Sequence, residues 1–106
     1  MTDIARLHRE LVTRVLGSSG AAPPELRRAA FDDGGPDGPM RTLVGKVARH
    51  ADQVTDDDVD AVRAAGLSED QIFEIVVCAA IGQADRQYKS ALAALATATS
   101  ATGSEQ

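Results

Sequence analysis

Aromatic residues are almost missing from this chain: there is no tryptophan, and Phe31, Phe73 and Tyr88 are the whole aromatic set. A core assembled without large rings relies on alanine and branched aliphatics, which bury less area each, so a thin interior is expected. Cysteine is scarcer still. Cys78 stands alone, which excludes an intrachain disulfide and any cysteine-based zinc cage. No metal or cofactor is expected, and a reducing cytoplasm is the simplest setting.

Clustered cations are also lacking. The formal net charge is −5, from 11 Lys and Arg against 16 Asp and Glu. The nearest approach to a basic cluster is Arg27-Arg28, with Arg41, Lys46 and Arg49 scattered beyond it. Nucleic acid and membrane surfaces are therefore not expected partners of this acidic protein. The longest apolar run, Ile75 to Gly82, falls far short of the roughly 20 residues of a membrane span. The first ten residues carry Asp3 and Glu10 and lack the apolar centre of a signal peptide, so a soluble cytoplasmic protein is expected. Strand-like alternation, Asn-Gly hairpins and glycine-rich phosphate loops are absent as well.

Helical periodicity fills the space that remains. Ile4, Leu7, Leu11, Val12, Val15 and Leu16 recur at threes and fours, predicting an amphipathic helix over Thr2 to Leu16. Pro24 suits the first turn of a short second helix through Phe31, and Asp32 to Pro39 has loop chemistry throughout. Met40, Leu43, Val44, Val47, Ala48 and Ala51 predict a third helix from Pro39 to Asp52. Thr55 caps a fourth, with Asp56, Asp57 and Asp58 at its positive end and Gly66 as its stop. Ser68 and Gln71 form a capping box for a long fifth helix from Glu69 to about Ala96, apolar nearly all round between Ile75 and Ile81. Gly82 bends that helix or admits a neighbouring backbone. The expected organisation is one all-α domain over residues 1–96, a bundle of about five helices, and a disordered tail over 97–106.

The stretch from Leu43 to His50, the run from Val54-Thr55-Asp56 through Gly66-Leu67-Ser68-Glu69-Asp70-Gln71-Ile72, and the continuation to Gly82 together resemble the AhpD-like / carboxymuconolactone decarboxylase superfamily. The resemblance covers roughly residues 40–95. It implies an all-helical, oligomeric protein. Active hydroperoxidases of that superfamily share a Glu-x-x-x-Cys-x-x-Cys-x-x-x-His signature, in which one thiolate is oxidised and the second resolves it. No Cys-x-x-Cys occurs here. Glu74, Cys78, Ile81 and Asp85 share the signature's spacing, but their flanking residues resemble the segment that follows the family's cysteine helix.

The candidate catalytic residues are Glu74, His50 and Cys78. Cys78 lies among Val76, Val77, Ala79 and Ala80, where a thiol behaves as a small inert hydrophobe. His50 ends the third helix, where an imidazole suits the negative terminus. Glu74 either faces the apolar seam, with a raised pKa, or turns to solvent. His8 belongs at the boundary of the first helix, and Arg86, Tyr88 and Lys89 are expected to pair with acids on neighbouring helices. Two functions fit. The first is a non-redox AhpD-like homo-oligomer acting as a binding or assembly module for a protein partner or a small acidic ligand. The second is a decarboxylase-like enzyme, in which His50, Glu74 and Arg41, Arg49 or Arg63 handle a small lactone acid by acid–base chemistry. A single-cysteine hydroperoxidase ranks below both.

Overall fold

Proline and capping side chains set most of the helix starts. The computed structural model describes residues 2–17 and 20–104, in which five α-helices and one 3₁₀ turn occur and no strand. Helix α1 spans Thr2–Gly17 and α2 spans Pro24–Phe31, with proline in its first turn. Helix α3 spans Pro39–Arg49 and follows Gly38, whose φ of 113° only glycine adopts readily. Helix α4, Asp56–Ala64, opens on a reciprocal box in which the Asp58 N–H donates to Thr55 and the Thr55 N–H donates to the Asp58 carboxylate. Helix α5, Glu69–Ser104, opens on the Ser68–Gln71 box.

Two boundaries differ from the sequence expectation. Helix α3 stops at Arg49 rather than Asp52, because His50 leaves helical geometry (φ −148°, ψ 59°) and Ala51–Gln53 tightens into the 3₁₀ turn. Helix α5 does not end near Ala96, and the tail expected to be disordered from Thr97 is helical through Ser104. The cause is an alanine-rich run with no proline to stop it. Glu105 and Gln106 lie outside the described residues.

Helix α5 is the axis of the fold. Helices α1, α2, α3 and α4 all pack against it, α2 and α3 most extensively, and α4 also packs against α3. One apolar cluster gathers Phe31, Met40, Val44, Ile75, Cys78 and Ala79; a second gathers Leu43, Val62 and Ile72. Burying such side chains contributes about 1.5–3 kcal/mol each before entropy is counted. Gly82 is the closest point of the packing: a Cβ there would lie 1.9 Å from the Phe31 carbonyl oxygen. It admits a neighbouring backbone, the second of the two roles expected for it. Arg86 fixes the same spot, donating to that carbonyl at 2.6 Å.

Beyond Tyr88 the helix leaves the body, and residues 89–99 are all exposed. The radius of gyration, 16.7 Å, exceeds the about 13 Å of a fully compact chain of this size. The second half of α5 is an arm.

Candidate functional site

The first residues of α5 and the last turn of α1 line an open cavity of about 290 Å³. Its apolar walls come from Val15 on α1 and Phe73 and Val77 on α5. Arg14, Arg27, Glu74 and Cys78 complete its lining beside Gly20. The spacing of α5 explains the pairing of acid and thiol: Glu74 and Cys78 are four apart and face α1 and α2 from one side of the helix.

Glu74 neither sits free in the seam nor points away to solvent. Its carboxylate accepts the backbone N–H of Ala21 at 2.7 Å and of Ala22 at 3.2 Å, holding the chain that leads into α2. Gln71 adds a bond from its side-chain amide to the Ala21 carbonyl at 3.1 Å. Gly20 permits this grip, since a Cβ there would fall 2.3 Å from a Glu74 oxygen. Arg27 is buried to 4% exposure, with its Nη1 3.4 Å from the Val15 carbonyl at the end of α1. A guanidinium at the negative end of a helix is favourably placed.

Cys78 is buried, its Sγ 4.0 Å from the Val15 carbonyl. Burial pushes its thiol above the ordinary value of 9.0; Arg27 pulls the other way, and Glu74 adds to the rise. The group is a thiol at neutral pH. His50 does not reach this cavity. It caps α3, its N–H donating to the Lys46 carbonyl at 2.7 Å, and its side chain is exposed. Arg41, Arg49 and Arg63 are likewise elsewhere, paired at the surface with Asp37, Asp33 and the Asp60–Glu69 pair. The structure thus brings together Glu74 and Cys78 but not His50. Among the described residues no group of three or more His, Cys, Asp or Glu side chains forms a metal site, and no helix is long and apolar enough to cross a membrane.

A second polar centre lies further along the α1–α5 seam. His8 Nε2 is 2.7 Å from Asp85 Oδ1, and Lys89 lies 3.1 Å from the other oxygen of the same carboxylate. Tyr88 packs its ring on His8, centroids 4.3 Å apart. Burial alone would raise the Asp85 pKa, but the hydrogen bonds from His8 and Lys89 outweigh it and hold the carboxyl below its ordinary value of 3.8. The expected pairing of Arg86, Tyr88 and Lys89 with acids on neighbouring helices is corrected here. Lys89 pairs within α5, Arg86 takes the Phe31 carbonyl and Gln83, and Tyr88 stacks. Of the four residues on the signature spacing, Glu74 and Cys78 line the cavity and Asp85 belongs to the His8 pair. No family model matches the chain, and neither a curated protein nor a solved structure matches it.

Proposed function

We propose that this chain is a non-redox, AhpD-like assembly module that associates with copies of itself through the outer side of α1 and α5. The carrying observation is an apolar face that the fold leaves uncovered. Ile4 (58%), Leu7 (59%) and Leu11 (44%) are exposed at threes and fours along α1. Phe73 and Leu95 are exposed at 69% and 60% on α5, and exposed Ala80, Ala84 and Ala91, with half-buried Val77, fall on the same side of the helix at spacings of three, four and seven. The two stripes lie on helices that pack against each other, α1 on α5. A contiguous face of this kind marks an interaction site rather than scattered surface hydrophobes.

Charge on α1 permits a second copy as the occupant. The chain carries −5 overall, so two copies repel over most of their surface. Helix α1, with Arg6, Arg9 and Arg14 against Asp3 and Glu10, is not acidic, and neither are α2 and α3. The α1 face thus adds no acidic repulsion of its own to an isologous contact between two copies. The enzyme reading needs His50, Glu74 and a surface arginine around one point, and His50 lies apart from the cavity that Glu74 lines.

Native mass measurement tests the reading, with hydroperoxide consumption under a generic dithiol as its second arm. An oligomer without peroxide turnover above the Cys78→Ala background is expected. A monomer, or a clear rate that disappears in Cys78→Ala, overturns it.

A further inference from the structure

We propose that the fold makes Asp37–Gly38 a site of spontaneous covalent modification, in which the Asp37 carboxyl closes on the Gly38 amide to a cyclic imide that reopens to isoaspartate. The same dipeptide occurs at Asp33–Gly34, and there the fold holds the reaction back. The site lies in the loop between α2 and α3, apart from the association face, so this proposal and the assembly reading can fail separately.

Glycine lets the carboxyl of the preceding residue approach its nitrogen with no Cβ in the way. The Gly38 nitrogen attacks Asp37 Cγ, and its proton leaves with the carboxyl hydroxyl as water. Water then opens the imide at either carbonyl. Opening at Cγ restores aspartate; opening at the backbone carbonyl leaves the chain running through the side-chain carbon. The mass is unchanged, and water is the only co-reactant.

Both reacting groups are tied down at Asp33–Gly34. The Gly34 N–H donates to the Ala29 carbonyl at 2.8 Å and the Asp33 N–H to the Ala30 carbonyl at 3.1 Å, the paired bonds that close the end of α2. The Asp33 carboxylate is held by Arg49, and its side chain is only 24% exposed. Neither constraint applies at Asp37–Gly38. Among the described residues the Gly38 N–H has no hydrogen-bond partner, and the Asp37 side chain is 90% exposed. Its ion pair with Arg41 lies in water, with both partners more than half exposed, and such pairs restrain little. Conversion adds a backbone carbon just ahead of the Gly38 carbonyl, which accepts the Thr42 N–H at 3.1 Å as α3 opens.

Ageing the full chain in heavy-oxygen water at neutral pH and physiological temperature makes the test, with electron-transfer fragmentation of its peptides to locate isoaspartate. Isoaspartate and heavy oxygen should appear together at Asp37, at least about tenfold faster than at Asp33, the factor for opening one hydrogen bond of ordinary strength before reaction. In urea, where the end of α2 is lost and both amides are free, the two sites should react at similar rates. Three results would each overturn the proposal. One is conversion at Asp33 as fast as at Asp37 in the folded chain. Another is no conversion at Asp37 in the folded chain over a period in which the urea-unfolded chain converts. The third is a preference for Asp37 that persists undiminished in urea.

Discussion

The two sides of α5 meet opposite fates. The side with Ile75, Cys78, Ala79 and Gly82 is sealed under α2 and α3, and each of these residues is buried. The side with Phe73, Ala80, Ala84 and Leu95 faces outward, although it is as apolar in sequence. One helix therefore carries two hydrophobic faces, and a chain of 106 residues has enough other helices to cover only the first. The covered side is defined by close backbone approach at Gly82 and by burial of Ile75, while the open side leaves Phe73 and Leu95 exposed. That difference separates a core from an uncovered face within one element.

Substitutions on the two sides should differ in kind, and the largest effect belongs to Gly82. Any side chain there meets the Phe31 backbone, which no rotamer change relieves. Gly82→Val should cost at least about 3 kcal/mol, the upper end for overpacked sites, and leave little folded protein in a urea titration. Gly17→Ala, with nothing within 4 Å of the added methyl, should leave the midpoint unchanged or raise it slightly. Normal folding of Gly82→Val would remove the close contact between α2 and α5 from the account.

Next in size is Ile75→Ala, which opens a hole at a fully buried position and should cost about 2–5 kcal/mol. Leu95→Ala, on the arm, should shift monomer stability by no more than about 0.5 kcal/mol. Equal costs in the two variants, measured by denaturant unfolding under dissociating conditions, would erase the distinction between the faces.

The α1–α5 seam gives a smaller, pH-dependent effect. Asp85 is held below 3.8 by His8 and Lys89 against the opposing effect of burial, and Asp58 is held below it chiefly by Lys46, with the Thr55 N–H assisting. A carboxyl depressed in the folded state contributes stability above its unfolded pKa, and that stability is lost as pH falls through the folded value. Both contributions are thus present at neutral pH and should disappear below about pH 4. Asp85→Asn should lose about 1.5–3 kcal/mol at neutral pH and show a shallower acid transition than wild type. A wild-type profile flat to pH 2, or an unchanged slope in the variant, would show that the seam carries no such linkage.

Most of the helical frame was legible because its signals are local. Pro24, the Thr55–Asp58 and Ser68–Gln71 boxes and the Gly66 stop act within a few residues of their own positions. Gly82 was legible as a breaker or a contact point, and the packing chose between them. The site was less so. His8 and Asp85 are 77 residues apart, and nothing in either neighbourhood announces the other. Glu74 read as seam or surface because its true partners, the N–H groups of Ala21 and Ala22, have no side-chain signature. Arg27 sits in an ordinary Arg-Arg pair, and only the end of α1 folding over it turns that residue inward. From Thr97 onward the small polar residues fit both a frayed tail and a helix, and helix propensity in an alanine run carries α5 on to Ser104.

The smallest expected change in monomer stability accompanies the most decisive measurement. Leu7→Glu/Leu11→Glu places two charges on the exposed face of α1 and touches no buried residue. Sedimentation equilibrium of wild type and this variant, across nanomolar to high micromolar concentration, tests whether the open face is the interface. The account predicts an oligomeric wild type and a monomeric variant with unchanged helical circular dichroism. A wild type that is monomeric throughout, or a variant that associates as strongly as wild type, would contradict it.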